Sequence, residues 1–144
     1  MAGADVDPKT KWWKGTEGEV QTVRVDSRDT HGAYAVIEAV HEPGCAVPTH
    51  LHRNEEEHFH VLVGRYRIAI GDDIIDAPTG TRVTVPRNTP HSWRNVAPGE
   101  GRLLVVITPG GFEQLVYQVE GTPEREIPAL AARYGCELLG PPRV

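Results

Sequence analysis

His50 and His52 follow a proline in an extended stretch, and side chains two apart on a strand leave the same face, so both imidazoles can reach one ion. Glu57 opens the stretch Glu57-His58-Phe59-His60-Val61, and residues 53–56 before it turn the chain back beside the histidines, which adds a carboxylate to the pair. His91 opens His91-Ser92-Trp93 well downstream and joins them only where a sheet curls to bring that strand alongside, as a small barrel does. Three neutral imidazoles and one carboxylate leave a divalent ion with about one net positive charge and, in an octahedral site, about one or two positions for water, O2 or a substrate oxygen. Iron, manganese, nickel or copper could hold an enolate and O2 there together; zinc could only polarise a carbonyl or acidify a water. The ligand types do not choose among these metals.

The elements that must position these groups read as strands. Residues 19–26, 33–40, 59–63, 66–70, 82–85, 91–95 and 103–108 alternate or are rich in β-formers. Turn chemistry separates them at Glu42-Pro43-Gly44, Gly71-Asp72-Asp73, Pro78-Thr79-Gly80, Pro86-Arg87-Asn88 and Pro98-Gly99. Long helices are excluded before residue 110, and the expected class is all-β. After Gly110-Gly111 the period changes: Phe112, Leu115, Val116 and Val119 recur at helical spacing, and residues 128–134 before Gly135 read as a short helix with a glycine stop. The expected organisation is an arm over residues 1–18, a barrel over 19–110 and a helical tail over 111–144 packed on the barrel.

Composition narrows the partners. A chain of 144 residues suits one domain that closes its own core, and a net charge of −5 with no run of Lys or Arg offers no footprint for nucleic acid. The first residues lack the apolar core of a signal peptide, and no stretch approaches the ~20 apolar residues of a membrane span, so the expectation is a cytoplasmic protein without a membrane partner. Cys45 and Cys136 are too few for a disulfide framework and are expected to stay reduced. The Trp12-Trp13 pair and exposed sheet edges favour a homodimer.

The spacing of Gly44, His50, His52, Glu57 and Gly64 resembles the first signature of the cupin superfamily at every anchor. Gly80, Pro86, His91 and Asn95 resemble the second, with 15 residues between Gly64 and Gly80, as in small bacterial monocupins. Asn88 stands where the family usually has Gly; Asn tolerates a left-handed backbone best among other residues, so the turn is expected to survive. The tail beyond Thr108 is similar to monocupins described as quercetin 2,3-dioxygenase-like. This resemblance implies a cupin jelly-roll β-barrel with one or two short C-terminal helices, a single divalent metal ion on His50, His52, Glu57 and His91, and a small-molecule substrate. It implies dioxygenation of an aromatic or enolisable compound first, then non-redox cyclisation or isomerisation, then a non-catalytic binding protein.

Glu57 is the candidate catalytic residue, able to take a proton from a substrate hydroxyl or acidic carbon. Alternation places Phe59 and Val61 on its face, and Trp93 and Asn95 on the face of His91, so Phe59 and Trp93 are candidate substrate contacts. Tyr34, with Val36 and Glu38, forms another candidate wall. His58 and His60 alternate outward. His31 and His41 read as surface histidines, and Glu55 and Glu56 as a solvated acidic turn.

Overall fold

The computed structural model describes residues 11–144, so residues 1–10 of the expected arm lie outside the described residues. The described chain forms eleven strands: β1 (Trp13–Lys14), β2 (Glu19–Val25), β3 (Ala35–His41), β4 (Thr49–His52), β5 (Glu56–Val63), β6 (Arg65–Ile70), β7 (Asp73–Pro78), β8 (Arg82–Val85), β9 (His91–Asn95), β10 (Gly101–Thr108) and β11 (Cys136–Gly140). They build two antiparallel sheets, ordered β1-β2-β3-β10-β5-β8 and β11-β4-β9-β6-β7. The all-β jelly roll read from the sequence is the fold. Among the described residues no helix is long and apolar enough to cross a membrane.

Alternation decides what each strand buries. In β3, β5 and β10 the odd positions Ala35, Ile37, Ala39, His41, Glu57, Phe59, Val61, Leu103, Val105 and Ile107 turn inward. The register of β10 aligns Ile107 with both Ala35 and Glu57, and Val105 with both Ile37 and Phe59, so one inward row crosses three strands. Tyr34, Val36 and Glu38 therefore take the other face, which corrects their assignment as a cavity wall: Tyr34 is 41% exposed, and Glu38 pairs on the outside with Arg24 and Arg102. His41 is the opposite correction. It was expected at the surface, yet it ends β3 on the inward parity and is fully buried.

The tail follows the expected helical pattern in shorter pieces. A 3-10 turn over Phe112–Leu115 runs into α1 (Val116–Val119), α2 spans Ile127–Arg133, and Gly135 at φ +75° stops it. The chain then returns as β11 to pair with β4, a strand the helical reading of the tail did not contain. Trp13 meets Tyr117 edge-on at 5.6 Å, while Trp12 lies under the guanidinium groups of Arg24 and Arg102.

Two carboxylates pin the tail to the barrel. Glu113, fully buried, accepts from Ser27 N and Oγ, Gly111 N and Gln114 Nε2. Asp26 accepts from Arg28, Gln114 and Tyr117. The Arg28 contacts, against a smaller opposing effect of burial, hold Asp26 below the usual carboxylate range. Burial pushes Glu113 upward, but its four donors outweigh that and hold it low. Stability from both groups is complete above about pH 4, where the unfolded carboxyls ionise, and is lost as pH falls through the lowered folded values. Glu113→Ala strands several buried donors and is expected to cost about 3 kcal/mol, read as a fall in Tm of roughly 10 °C with weaker dependence on pH below 4.

Candidate metal centre

The four predicted ligands converge. His50 and His52 come from β4 and His91 from β9, where His50 registers directly opposite His91, so one sheet presents all three imidazoles. Glu57 reaches them from β5 in the other sheet. One ligand atom from each lies within 4.8 Å of all the others, and all four residues are buried. Asn88 closes the turn before β9 at φ +62°, the left-handed conformation expected of it, and its N–H donates to the His52 carbonyl at 2.8 Å, tying the loop that carries His91 to the strand that carries His52.

Hydrogen bonds orient two of the rings. His50 Nδ1 lies 2.7 Å from the Pro48 carbonyl and His91 Nδ1 3.0 Å from the Thr89 carbonyl, each two residues back in the chain. Because a carbonyl only accepts, Nδ1 carries the proton in both rings and the Nε2 lone pairs turn inward. His52 differs: Nε2 stands 2.9 Å from Glu57 Oε1 and Nδ1 3.3 Å from Glu55 Oε1, but neither ring nitrogen has an aligned hydrogen-bond partner. Glu57 Oε1 is also 2.9 Å from His91 Nε2. His52 thus brings two buried nitrogens without an aligned partner into a cluster of close ligand atoms, an arrangement that a shared cation would satisfy.

The electrostatics agree. Burial, with His91 and His52 nearby, pushes His50 down to about 3 and keeps it neutral. Burial also opposes charge on His52, but the carboxylates of Glu57 and Glu55 outweigh it and hold the ring up at about 10. Burial alone would raise Glu57, yet His52 and His91 hold it well below the usual carboxylate range. A buried carboxylate here demands a positive charge, which a proton on His52 supplies in the metal-free protein and a divalent ion would supply in its place. The donor set fits such an ion and leaves its identity open.

Glu55 is the residue that sequence reasoning missed. Expected in a solvated turn, it is 3% exposed with its carboxylate against His52 Nδ1. The signal was present in its parity, since Glu55 and Glu57 are two apart; Glu56 between them is the less buried member. Carboxylates behind a metal-bound imidazole fix its orientation and raise its basicity, so Glu55→Gln is expected to weaken metal affinity about tenfold with an unchanged fold, measured by competition with a chelating dye.

The centre opens on a cavity of about 610 Å³. Phe59 and Trp93 line it as expected, joined by Ile37, Leu103 and Val105 from the six-stranded sheet and by Phe112, Leu115 and Val116 from the tail. Asn95 shares the parity of Trp93 but spends its amide on the carbonyls of His41, Glu42 and Gly99 and on Ala97 N, so it holds turns instead of facing the cavity. His58 points away and meets Thr84 and Thr108. Cys45 and Cys136 are free and buried, and burial pushes each thiol up to about 12.

Residues 38–107 match the family described as Cupin domain. Quercetin 2,3-dioxygenase of Bacillus subtilis (strain 168) is 28% identical over 105 residues, 73% of this chain and 31% of that protein, so the chain spans about a third of that relative's length. The structure of KdgF from Halomonas sp. superposes with a TM-score of 0.66 at 12% identity, over 76% of this chain and 94% of that one. The polyketide cyclase RemF from Streptomyces resistomycificus superposes with a TM-score of 0.61 at 21% identity, over 72% and 78%. At such identities the two structures share a fold with this chain.

Proposed function

We propose that the protein, whose residues 38–107 match the family described as Cupin domain, is a metal-dependent enzyme acting on a small oxygenated aromatic or enolisable molecule, with dioxygenation as the reaction. The observation that carries this reading is the placement of a buried three-histidine, one-carboxylate cluster at the wall of an apolar cavity lined by Phe59 and Trp93. A redox-active divalent ion on His50, His52, Glu57 and His91 would supply a site where an ionised substrate oxygen and O2 meet. The chain's own residues do the rest. Phe59 and Trp93 confine a flat ring system and exclude water, and Glu57 takes the proton of the substrate hydroxyl at a carboxylate oxygen. The likeness to an enzyme named quercetin 2,3-dioxygenase supports a flavonol as the first substrate to try.

The apolar cavity also suits a non-redox cyclase or isomerase, in which the same ion acts as a Lewis acid, and the fold is shared with a structure named as a polyketide cyclase. Oxygen separates the two. Protein loaded in turn with iron, manganese, nickel, copper and zinc is expected to consume about one O2 per quercetin with a redox-active ion and to stop under anaerobic conditions. Product formed at full rate without O2 would replace the dioxygenase reading with the non-redox one.

A further inference from the structure

The cavity has a second polar end that the metal centre does not use. The Tyr66 hydroxyl lies 2.5 Å from His41 Nδ1, His41 Nε2 lies 2.8 Å from Glu19 Oε2, and Glu19 Oε1 accepts from Thr16 N at 3.1 Å. His41 and Tyr66 are fully buried, and the Glu19 side chain is 11% exposed. Burial pushes the Tyr66 phenol above its ordinary range, so it keeps its proton and donates to His41 Nδ1. His41 then donates from Nε2, and the chain ends on the Glu19 carboxylate.

That carboxylate faces the same cavity as His50, His52 and Glu57. The β2–β3 register sets Glu19 beside His41 and Gln21 beside Ala39, so both polar groups sit on the inward row. Trp93 stands between the two ends: its ring is 4.2 Å from His41, and it follows His91 by two residues, one inward step of about 7 Å. Space around the acceptor is kept by glycine, since a Cβ at Gly15 would fall on Glu19 Oε1 and one at Gly101 on the Tyr66 hydroxyl. An ionised carboxylate offers about four acceptor positions, and among the described residues Thr16 N and His41 Nε2 take two of them.

We propose that Glu19, held by His41 and Tyr66, is a substrate-positioning residue that accepts a hydrogen bond from a hydroxyl remote from the metal-facing oxygens. The preferred substrate is then a polyhydroxylated aromatic compound, apolar in the middle and polar at both ends. This rests on the reading above, in which a chelating oxygen pair faces His50, His52, Glu57 and His91.

Two probes test it on zinc-loaded protein, which binds without turnover, by quenching of tryptophan fluorescence. 3-Hydroxyflavone carries only the chelating oxygen pair; quercetin carries the same pair with remote hydroxyls. Wild-type protein is expected to bind quercetin about tenfold tighter, the effect of one hydrogen bond to a charged acceptor. In Glu19→Gln that preference should fall within about twofold, with zinc content unchanged. Gly15→Ala, which pushes the carboxylate aside without removing it, should reduce the preference in the same direction. Equal affinities in wild type, or a preference that survives both substitutions, overturns the inference and leaves the metal centre standing. Absence of zinc-dependent binding by either probe overturns both.

Discussion

Protein carrying His52→Ala, purified without added metal, is expected to hold less than about a tenth of an equivalent of divalent ion, where the wild-type chain holds about one. Of the three imidazoles, His52 is the one whose nitrogens both lack an aligned partner, so it has the most to gain from a cation. Loss of an outer carboxylate behind a ligand typically costs 10–100-fold in affinity, and loss of the ligand itself should exceed about 100-fold in competition with a chelating dye. A pH signature accompanies it. In the metal-free protein His52 is held up at about 10, so binding must expel its proton and affinity should rise about tenfold per pH unit below that value. His50, pushed down to about 3, is already neutral over that range and adds no slope. His52→Ala should therefore lose the slope together with the affinity, whereas retention of stoichiometric metal in the variant would remove His52 from the ligand set.

That ligand set was legible because strand period places the candidate side chains on shared faces and their spacing resembles the two cupin signatures. His50 and His52 are two apart, Glu57 is the second residue of the next strand, and the jelly roll pairs β9 with β4 so that His91 faces His50. The residues that escaped reading are those whose environment depends on a strand's end or on distant segments. His41 closes β3, and its burial follows from Glu19 across β2 and Tyr66 from the facing sheet, 25 residues later in sequence. Glu55 sits just before β5, where charge density reads as solvent but parity reads as interior, and parity prevails because His52 waits there. Tyr34 failed for the converse reason: an aromatic residue beside a β-rich run has no visible parity until the pairing of Ala35 with Ile107 sets which rows face inward. β11 was hidden because two short inward side chains, Cys136 and Leu138, give too little alternation to compete with the helical pattern before them.

Glu57→Gln is the substitution that separates holding the ion from moving a proton. It keeps the shape of the side chain on β5 and removes the one negative charge that faces three imidazoles. Metal affinity should fall about 10–100-fold, because three neutral rings and an amide oxygen leave the divalent charge uncompensated. That loss can be overcome with excess metal, and the informative measurement is kcat with one equivalent bound. If Glu57 also accepts the substrate proton, turnover at metal saturation should remain at least about 100-fold down, the usual weight of a positioned base. The defect should be smaller for a substrate supplied already ionised at high pH, where no proton has to be taken. Turnover within about threefold of wild type under saturating metal would confine Glu57 to the ligand role. Stability sharpens the assignment. Removing one partner of a buried ion pair ordinarily costs about 3–5 kcal/mol, but here His52 is held charged only by Glu57 and Glu55 and can release its proton when Glu57 is neutralised. The metal-free variant should therefore unfold close to the wild-type temperature, so that any loss of turnover reports on chemistry at the Glu57 carboxylate and not on a collapsed barrel.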